Sequence, residues 1–338
     1  MSKIFRYDNE FRLECGEVLP SLKVAYHTFG SMNEERSNVV WVCHALTANS
    51  DVADWWPGTV ESGRFLDPEK YFVVCANILG SCYGTTGPTE INPATGQPWY
   101  GDFPRVTVRD MVRAHQLLAQ HLGIKRVKLL IGSSVGGFQS MEWSVMEPDF
   151  AEKCAFIATG AYFHPWAAAF HESQQMALLT DPTFGERTPE AGLKGMAAAR
   201  SIALLSYRGG KAYDKTQADA PEGYASPFEH RVQSYQRYQG EKLCRRFNAY
   251  AYQRMLQACD SHNLGRGRGS VEQALQCIKA PTLLVSISSD LLFPPCDHQV
   301  MIDNIPNCEY HEIDSDFGHD GFLVESDKLN DIIQAFMN

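Results

Sequence analysis

A serine at a sharp turn is the part of this sequence best suited to covalent chemistry. The apolar run 127–131 is followed by Gly-Ser-Ser-Val-Gly at 132–136, and apolar residues then recur at helical spacing. This is a G-x-S-x-G pattern in the strand–turn–helix context that raises its central serine above a sheet. The pattern predicts that Ser134 is the nucleophile of an acyl-transfer reaction. Ser133 is the poorer candidate because it occupies the first variable position of the pattern.

The partners of such a serine are expected at the ends of two later strands. A serine hydroxyl needs a histidine to take its proton and a carboxylate to orient that histidine. Behind a turn of this kind, the chain order is serine, then the acid, then the histidine. Asp290 and His319 follow two late apolar runs in that order and complete a predicted triad. Asp314 and Asp316 lie too close to His319 in sequence to come from the neighbouring strand.

Two backbone N–H groups are predicted to stabilise the oxyanion that forms when the serine attacks a carbonyl. One belongs to Val135, which follows the serine at the start of a helix. The other belongs to Leu46, in the loop after the apolar run 39–43. His44 in the same loop is either a general base or a structural histidine at a strand end. We favour the structural interpretation.

Short apolar runs that alternate with helical patterns position these residues. The predicted strands are 39–43, 71–76, 127–131, 154–159, 282–287 and 308–313. Helical patterns such as 106–121 and 135–146 separate most of them. This alternation predicts an α/β fold with a mostly parallel sheet covered by helices on both faces. An earlier pair of segments, around 11–13 and 22–29, is predicted to form an antiparallel edge.

The strand pattern stops near residue 161 and resumes at residue 280. Between them the sequence shows only helical segments, at 165–179, 191–205, 227–247 and 249–262. An all-helical insertion of this kind is typical of a lid over the carboxyl edge of the sheet, where open α/β sheets bind their ligands. We therefore predict a core domain of residues 1–162 and 280–338 and a helical lid domain of residues 163–279.

Composition argues against nucleic-acid and membrane partners. The 338 residues carry a formal net charge of −10, which repels nucleic acid. The Gly-Arg-Gly-Arg-Gly segment at 265–269 is interpreted as a solvated loop rather than an RNA contact. No apolar run is long enough to span a bilayer, and the first residues lack the apolar segment of a signal peptide. The ten cysteines show no zinc-site spacing, so we predict a reduced, cytoplasmic protein without a metal site.

A series of short motifs runs in order along nearly the whole chain. The motifs are His-Ala-Leu-Thr at 44–47, Asn-Ile-Leu-Gly-Ser-Cys-Tyr-Gly-Thr-Thr-Gly-Pro at 77–88, the serine turn with its extra glycine at 137, Ser-Tyr-Arg at 206–208, Tyr-Gln-Gly-Glu-Lys at 238–242, Arg-Phe-Asn at 246–248, Asp-Ser-His-Asn at 260–263, Asp-Leu-Leu-Phe-Pro at 290–294 and Gly-His-Asp-Gly-Phe-Leu at 318–323. With these motifs the chain resembles the homoserine O-acetyltransferase family of α/β-hydrolase-fold enzymes.

The resemblance implies a triad of Ser134, Asp290 and His319, a helical lid that forms a tunnel over the serine, and homodimers joined through the lids. It also places Arg208 on the family's substrate-contacting arginine and Asp320 on that arginine's acidic partner. These two charges would suit a zwitterion, since a bidentate arginine is the usual clamp for a carboxylate. Without the resemblance, Arg208 could equally cap the carboxyl end of its helix.

The chain departs from the family pattern at two places. The family usually has Gly where this chain has Ser133, with Met or Leu where it has Val135. It also usually has Asp where this chain has Asn248, with Asn where it has Tyr250. These changes affect residues that line or support the predicted site, and they leave the triad unaltered.

The resemblance implies transfer of an acetyl group from acetyl-CoA to L-homoserine through an acetyl-serine intermediate, in methionine biosynthesis. Acetyl-CoA is then a co-substrate, and no permanently bound cofactor is needed. The basic cluster of Lys242, Arg245 and Arg246 either binds the CoA phosphates or is a solvated helix face. The alternatives are a serine hydrolase with the same triad, a succinyl-CoA-dependent transferase, an enzyme acting on serine, and a non-catalytic binding protein of the same fold.

Overall fold

Strands and helices alternate along most of the chain in the computed structural model, which describes residues 1–219 and 228–338. The strands are β1 (Lys3–Tyr7), β2 (Phe11–Arg12), β3 (Val18–Leu19), β4 (Leu22–Phe29), β5 (Val39–Cys43), β6 (Phe72–Ala76), β7 (Ile91–Asn92), β8 (Gln97–Pro98), β9 (Val127–Ser133), β10 (Ala151–Ile157), β11 (Thr282–Ile287) and β12 (Cys308–Ile313). The helices are α1 (Val52–Trp55), α2 (Val108–His121), α3 (Val135–Met146), α4 (Pro165–Leu179), α5 (Leu193–Tyr207), α6 (Gly210–Gln217), α7 (Arg231–Cys244), α8 (Ala249–Asp260), α9 (Val271–Leu275), α10 (Gln299–Asn304), α11 (Gly321–Val324) and α12 (Ser326–Met337). Three 3₁₀ turns cover Tyr100–Asp102, Pro295–His298 and Gly318–Asp320.

Eight strands form one sheet in the order β1-β4-β6-β5-β9-β10-β11-β12. The six strands from β6 to β12 in this order run parallel to their neighbours. The strands β1 and β4 form an antiparallel edge, in which β1 pairs with β4 and β4 pairs with β6. The prediction of a mainly parallel sheet is therefore confirmed, and the carboxyl ends of its parallel strands meet at one edge.

The predicted partner of β4 is wrong. Lys3–Tyr7 pairs with β4, whereas Phe11–Arg12 pairs with Val18–Leu19 in a separate two-stranded sheet. The chain reverses between them at Gly16, whose φ is +92°, and the Leu13 N–H donates to the Glu17 carbonyl at 2.9 Å. Because of this tight turn, residues 11–12 pair with residues 18–19, which follow them in the chain. The segment that precedes them, residues 3–7, pairs with β4 of the main sheet instead.

Side chains of the central strands alternate between two cores because successive residues of a strand point to opposite faces of the sheet. In β5, which is fully buried, Trp41 and Cys43 belong to the core beneath α2 and α3. Val40 and Val42 belong to the other core, which contains Leu329 of α12. Both faces of the parallel strands are therefore covered, and the residues that follow their carboxyl ends are left to form a site.

The helices α4 to α9 lie between β10 and β11 in the chain, as the sequence predicts. The bounds of α4, α5, α7 and α8 differ from the predicted ones by a few residues, and α6 and α9 were not predicted. Pro227, the predicted start of one helix, lies outside the described residues. Within the described ranges of this insertion no strand forms. The division into a core domain and a lid at residues 163 and 279 stays a prediction.

The glycine- and arginine-rich loop 265–269 is largely exposed at Arg266, Gly267 and Gly269, in agreement with the predicted solvated loop, and ion pairs also hold it to the core. Arg266 pairs with Glu14 at 2.9 Å. Arg268 donates to Glu142 at 3.1 Å, and Arg109 binds the same carboxylate at 3.0 Å. Glu142 is 2% exposed, and a buried carboxylate needs cationic partners of this kind. The arginines of this loop therefore fasten it to the core.

All ten cysteines are free thiols. Among the described helices, none has both the length and the apolar character required to cross a membrane. The cytoplasmic location stays a prediction.

Candidate active site

The serine turn places Ser134 in a conformation that few non-glycine residues adopt. Its φ is +54° and its ψ is −122°, between the end of β9 and the start of α3. The turn is tight because a Cβ on Gly136 would lie 2.0 Å from the Cys43 carbonyl oxygen. A Cβ on Gly132 would lie 2.1 Å from the Gly136 carbonyl oxygen. Only glycine fits at these two positions, so the two glycines make this backbone geometry of the serine possible.

Ser134, His319 and Asp290 form a continuous hydrogen-bonded series. The His319 Nε2 lies 2.9 Å from the Ser134 Oγ, and the His319 Nδ1 lies 2.7 Å from the Asp290 Oδ2. The three residues are 6%, 3% and 2% exposed, respectively. This geometry lets Nδ1–H donate to the carboxylate while Nε2 accepts the serine proton. The structure thus brings together the three residues that the sequence singled out, and their catalytic roles stay predictions.

Asp290 is oriented by the backbone that follows it. Its Oδ1 accepts hydrogen bonds from the N–H groups of Leu292 at 2.7 Å and Phe293 at 2.9 Å. These bonds leave Oδ2 for His319. The rival carboxylates face elsewhere, since Asp314 accepts from a serine hydroxyl and Asp316 pairs with two lysines. Neither rival forms a hydrogen bond with His319.

The pKa of His319 is raised above its ordinary value. Burial by itself favours the neutral ring and lowers the pKa, but the charge of Asp290 and its hydrogen bond act in the opposite direction and prevail. The charge of Asp320 adds to this effect. Two carboxylates therefore stabilise the imidazolium that forms when His319 takes a proton.

The two predicted oxyanion donors lie beside the serine. Leu46 lines the same cavity as Ser134, and Val135 is the first residue of α3. Neither N–H donates to a residue within the described ranges. His44 is fully buried, and its Nε2 accepts a hydrogen bond from the Ile78 N–H at 3.2 Å. This nitrogen is therefore occupied, which agrees with the structural interpretation of His44.

A cavity of about 520 Å³ opens above Ser134, between the sheet edge and the inserted helices. It is lined by Ala45, Leu46, Thr47, Ala48, Asn49, Asp54, Trp55, Ser134, Arg200, Tyr207, Lys242, Arg246, His319, Asp320, Phe322 and Leu323. The lining therefore combines Ser134 and His319 of the predicted triad with cations and carboxylates. Asp320 is among the lining residues, but Arg208 is not.

Arg208 forms an ion pair with Asp320 instead of facing the cavity. Its Nε donates to the Asp320 Oδ2 at 3.0 Å, and its Nη1 donates to the Tyr235 hydroxyl. The guanidinium also stacks over the Tyr235 ring at 5.3 Å. The Arg208 side chain thus holds one oxygen of Asp320, and the other oxygen of that carboxylate makes no hydrogen bond to the described residues.

Arg200 and Tyr207 line the cavity and were missed from the sequence. The Arg200 guanidinium lies over the Tyr207 ring at 5.2 Å, and the centroid of that ring is 5.9 Å from the His319 ring. Arg200 forms no ion pair with any residue in the described ranges. The two residues are seven positions apart on α5, and this spacing puts side chains on one helix face. The spacing could have linked Arg200 to Tyr207, but it does not show which face of α5 borders the cavity. Arg208 lies beyond the last helical residue in an extended conformation, so helical spacing does not set its direction.

The predicted basic cluster divides in the structure. Lys242 and Arg246 line the cavity, whereas Arg245 does not. The Arg246 guanidinium donates to the Thr47 carbonyl at 2.5 Å and to the Tyr83 hydroxyl at 2.7 Å, so it binds neutral groups of the core. Lys242 is exposed and forms no ion pair with a described residue. Within this cluster, Lys242 is the cavity-lining cation that no described residue binds.

The two departures at 248 and 250 lie outside the cavity lining. The Asn248 side chain caps α8 by accepting from the Tyr250 N–H at 3.0 Å, a task that asparagine and aspartate perform equally well. The Tyr250 hydroxyl accepts a hydrogen bond from the Gly185 N–H at 3.1 Å, and the Tyr250 ring stacks against the ring of Phe184. Both residues support the inserted helices from behind.

Known proteins are similar to this chain in sequence and in fold. The sequence profile of the alpha/beta hydrolase fold matches residues 38–326. The chain is 40% identical over 334 residues to the homoserine O-acetyltransferase of Cyclobacterium marinum, covering 99% of this chain and 94% of that protein.

Solved structures are also similar to this chain in fold. The homoserine O-acetyltransferase of Bacillus anthracis superposes with a TM-score of 0.92 at 25% identity, covering 100% of this chain and 97% of that one. An acetylester hydrolase from Corynebacterium glutamicum superposes with a TM-score of 0.87 at 23% identity, covering 100% and 96%, a likeness that shows the fold alone. The predicted α/β-hydrolase fold is confirmed, and the chain belongs to the homoserine O-acetyltransferase family.

Proposed function

We propose that this protein transfers the acetyl group of acetyl-CoA to the side-chain hydroxyl of L-homoserine through an acetyl-Ser134 intermediate. The observation that carries the proposal is the hydrogen-bonded series Ser134–His319–Asp290 at the wall of a cavity that also contains a cation and a carboxylate. Family membership supports the same reaction. The chemistry needs side chains and backbone N–H groups, and the family requires no permanently bound cofactor.

The first half-reaction forms the acyl-enzyme. The Nε2 of His319 takes the proton of Ser134 as Oγ attacks the thioester carbonyl carbon, and the N–H groups of Val135 and Leu46 stabilise the oxyanion. When the intermediate collapses, the carbon–sulfur bond breaks and the CoA sulfur takes the proton from His319. Acetyl-Ser134 remains, and the imidazole is neutral again.

The second half-reaction repeats these steps with the acceptor. The hydroxyl of homoserine gives its proton to His319 and attacks the acetyl carbonyl, and the same two N–H groups stabilise the oxyanion. The ester bond to Ser134 then breaks, and its Oγ recovers the proton from His319. Water is the competing nucleophile, so the acceptor must be aligned closely enough to react first.

The cavity offers complementary charges for a zwitterion. We assign the substrate carboxylate to Arg200, the lining arginine whose guanidinium makes no hydrogen bond to a described residue, whereas Arg246 is bound to Thr47 and Tyr83. We assign the substrate ammonium to Asp320, which is next to the catalytic histidine and 19% exposed. Arg208 then acts through Asp320, because it binds the carboxylate oxygen at 3.0 Å and presents the other oxygen to the cavity. Arg208 is thus a positioning residue in this proposal.

The CoA phosphates require positive charge on a protein that is acidic overall. Lys242 supplies it at the cavity wall, since its ammonium forms no ion pair with a described residue. The adjacent Arg246 is already bound to Thr47 and Tyr83. Arg245 does not line the cavity, so it takes no part in this assignment.

The helices of residues 163–279 would act as the lid that keeps water from the acyl-enzyme.

We also propose a homodimer formed through these helices. On α4, Trp166, Met176 and Leu179 are 55%, 60% and 59% exposed. Met176 and Leu179 lie one turn apart on the same side of the helix, and exposed apolar side chains of this kind have the character of an interface. Sedimentation equilibrium of wild type and of Trp166→Glu/Met176→Glu tests the dimer, which the double variant should dissociate.

Intact-protein mass spectrometry tests the reaction. Wild type mixed briefly with acetyl-CoA should gain one acetyl group, and L-homoserine should remove it as O-acetylhomoserine, while Ser134→Ala should show no adduct. An adduct that water removes as fast as homoserine does would support a hydrolase instead. An adduct formed only from succinyl-CoA would keep the mechanism and change the donor. Serine in place of homoserine tests the acceptor.

A further inference from the structure

The two donor N–H groups of the oxyanion site belong to peptide units whose carbonyl oxygens are both held by side chains. A trans peptide is planar, with its C=O and N–H pointing in opposite directions. Fixing the carbonyl oxygen therefore fixes the direction of the N–H on the same peptide. The Val135 N–H shares a peptide with the Ser134 carbonyl, and the Leu46 N–H shares one with the Ala45 carbonyl.

Thr159 holds the first of these peptides. Its Oγ1 donates to the Ser134 carbonyl oxygen at 2.8 Å, and the N–H groups of Gly137 and Phe138 donate to the same oxygen at 2.9 and 3.3 Å. Thr159 follows β10, the next strand of the sheet, and is 1% exposed. Ser134 needs this support because its φ of +54° is strained for a residue with a side chain.

His44 holds the second peptide. Its Nδ1 lies 2.8 Å from the Ala45 carbonyl oxygen, which also accepts from the Ala48 N–H at 3.1 Å. The Nε2 of His44 accepts from the Ile78 N–H, so Nε2 carries no proton and Nδ1 is the donor. Burial lowers the pKa of His44 to about 4, which keeps this neutral tautomer at neutral pH.

We propose that Thr159 and His44 are the positioning residues of the oxyanion site, each aiming one donor N–H by anchoring the carbonyl on the opposite side of its peptide. Neither side chain touches the substrate. The proposal rests on the proposed acyl-serine chemistry and assigns roles to two buried groups that the proton transfers do not use. Loss of either anchor lets its N–H rotate away from the oxyanion.

The first test compares Thr159→Val with Thr159→Ser, using the pre-steady-state release of p-nitrophenol from p-nitrophenyl acetate. Valine keeps the shape and removes the hydroxyl, whereas serine keeps the hydroxyl and removes a methyl group. Loss of an oxyanion donor costs about 10²- to 10³-fold, so a misaligned donor in Thr159→Val should slow acylation about 10- to 100-fold. Thr159→Ser should stay near wild type, and KM should change little in both variants.

The second test compares His44→Asn with His44→Gln in the same assay. The asparagine amide nitrogen takes the place of Nδ1 and can still donate to the Ala45 carbonyl, whereas the glutamine side chain reaches only the place of Nε2. His44→Asn should therefore keep most of the acylation rate, and His44→Gln should lose it about 10-fold or more. Melting temperatures are measured for all four variants, because a purely structural role would make the rates follow stability.

Equal acylation rates for Thr159→Val and Thr159→Ser, or for His44→Asn and His44→Gln, would overturn the proposal for that residue. The assay contains neither CoA nor homoserine, so it is independent of the donor and the acceptor. If wild type formed no acetyl-Ser134 from acetyl-CoA, the proposed transferase would fail while these rate ratios still decided the positioning roles.

Discussion

The site is built from two regions that differ in how well their polar groups are satisfied. At the sheet edge, the Asp290 carboxylate accepts hydrogen bonds from two backbone N–H groups and binds His319. The peptides that carry the two predicted oxyanion donors are held at their carbonyl oxygens by side chains. On the inserted helices, Arg200 and Lys242 line the cavity without an ionic partner in the described part of the chain. A preorganised region and a region with unpaired charge therefore face each other.

This difference separates the work of the two regions. Groups fixed before the substrate arrives stabilise charge that develops during the reaction, and such groups govern kcat. Cations without an acidic partner form their ion pairs with the bound substrate. These ion pairs exist in the ground state as well as in the transition state, so they govern KM. We therefore expect changes at the sheet edge to slow acylation and changes on the helices to weaken binding.

The largest effect is expected for Asp290→Asn. An amide in place of this carboxylate favours the wrong tautomer of His319, and such a change lowers the chemical rate by about 10⁴-fold. The KM for homoserine should change little. Stopped-flow acylation by p-nitrophenyl acetate measures the rate. Asp314→Asn is the matched control, since that carboxylate accepts from Ser288 and has no hydrogen bond to His319. An equal loss in both variants would remove Asp290 from the triad.

Arg200→Met should raise the KM for homoserine about 10- to 100-fold, because it removes a charge-assisted pair with the substrate carboxylate. Acylation by p-nitrophenyl acetate should stay near wild type. Acceptor analogues sharpen the test. The acceptor 3-aminopropan-1-ol, which has no carboxylate, should react equally with wild type and variant, while 4-hydroxybutyrate should lose as much as homoserine does.

Arg208→Met provides the comparison for Arg200. Because Arg208 acts through Asp320, this variant should impair 3-aminopropan-1-ol, whose ammonium needs Asp320, and should affect 4-hydroxybutyrate less. The opposite pattern, with Arg208→Met losing selectivity for the carboxylate, would assign the clamp to Arg208 as the family resemblance implies.

A smaller effect is expected for Lys242→Glu. Reversal of an exposed charge at the cavity should raise the KM for acetyl-CoA by about threefold to tenfold at low salt, with the difference shrinking as ionic strength increases. Arg245→Glu makes the same change of charge three residues along, outside the cavity lining, and should have little effect. If both variants raise KM equally, the long-range field of the helix is responsible and Lys242 makes no specific contact.

The same contrast between regions explains what the sequence could predict. The triad residues follow strands in a known chain order, so Ser134, Asp290 and His319 could be selected from one sequence, and the structure places them within hydrogen-bonding distance. Arg200 could not be selected because the face that α5 turns toward the cavity depends on how α5 packs against its neighbours. The ion pairs of the loop 265–269 could not be predicted because the acidic partners of its arginines are 252 and 126 positions away in the chain.

The smallest expected effect is on the pH dependence of acylation in Asp320→Asn. Asp320 lies where the sheet edge meets the inserted helices, since it is next to His319 in the chain and binds Arg208, which follows α5. Burial lowers the pKa of His319, but the charges of Asp290 and Asp320 raise it above the ordinary value. Acylation needs the neutral imidazole, so the wild-type rate should fall as the pH drops through this raised pKa.

Removing the charge of Asp320 takes away one of the groups that favour the imidazolium, and it leaves the Arg208 guanidinium without its ion-pair partner. Both changes lower the pKa of His319, so the acid limb of the rate profile for p-nitrophenyl acetate should move to lower pH in Asp320→Asn. Asp316→Asn should leave the limb in place, because that carboxylate pairs with Lys211 and Lys215. A limb that stays in place, or moves equally in both variants, would mean that Asp320 has no specific electrostatic effect on the histidine.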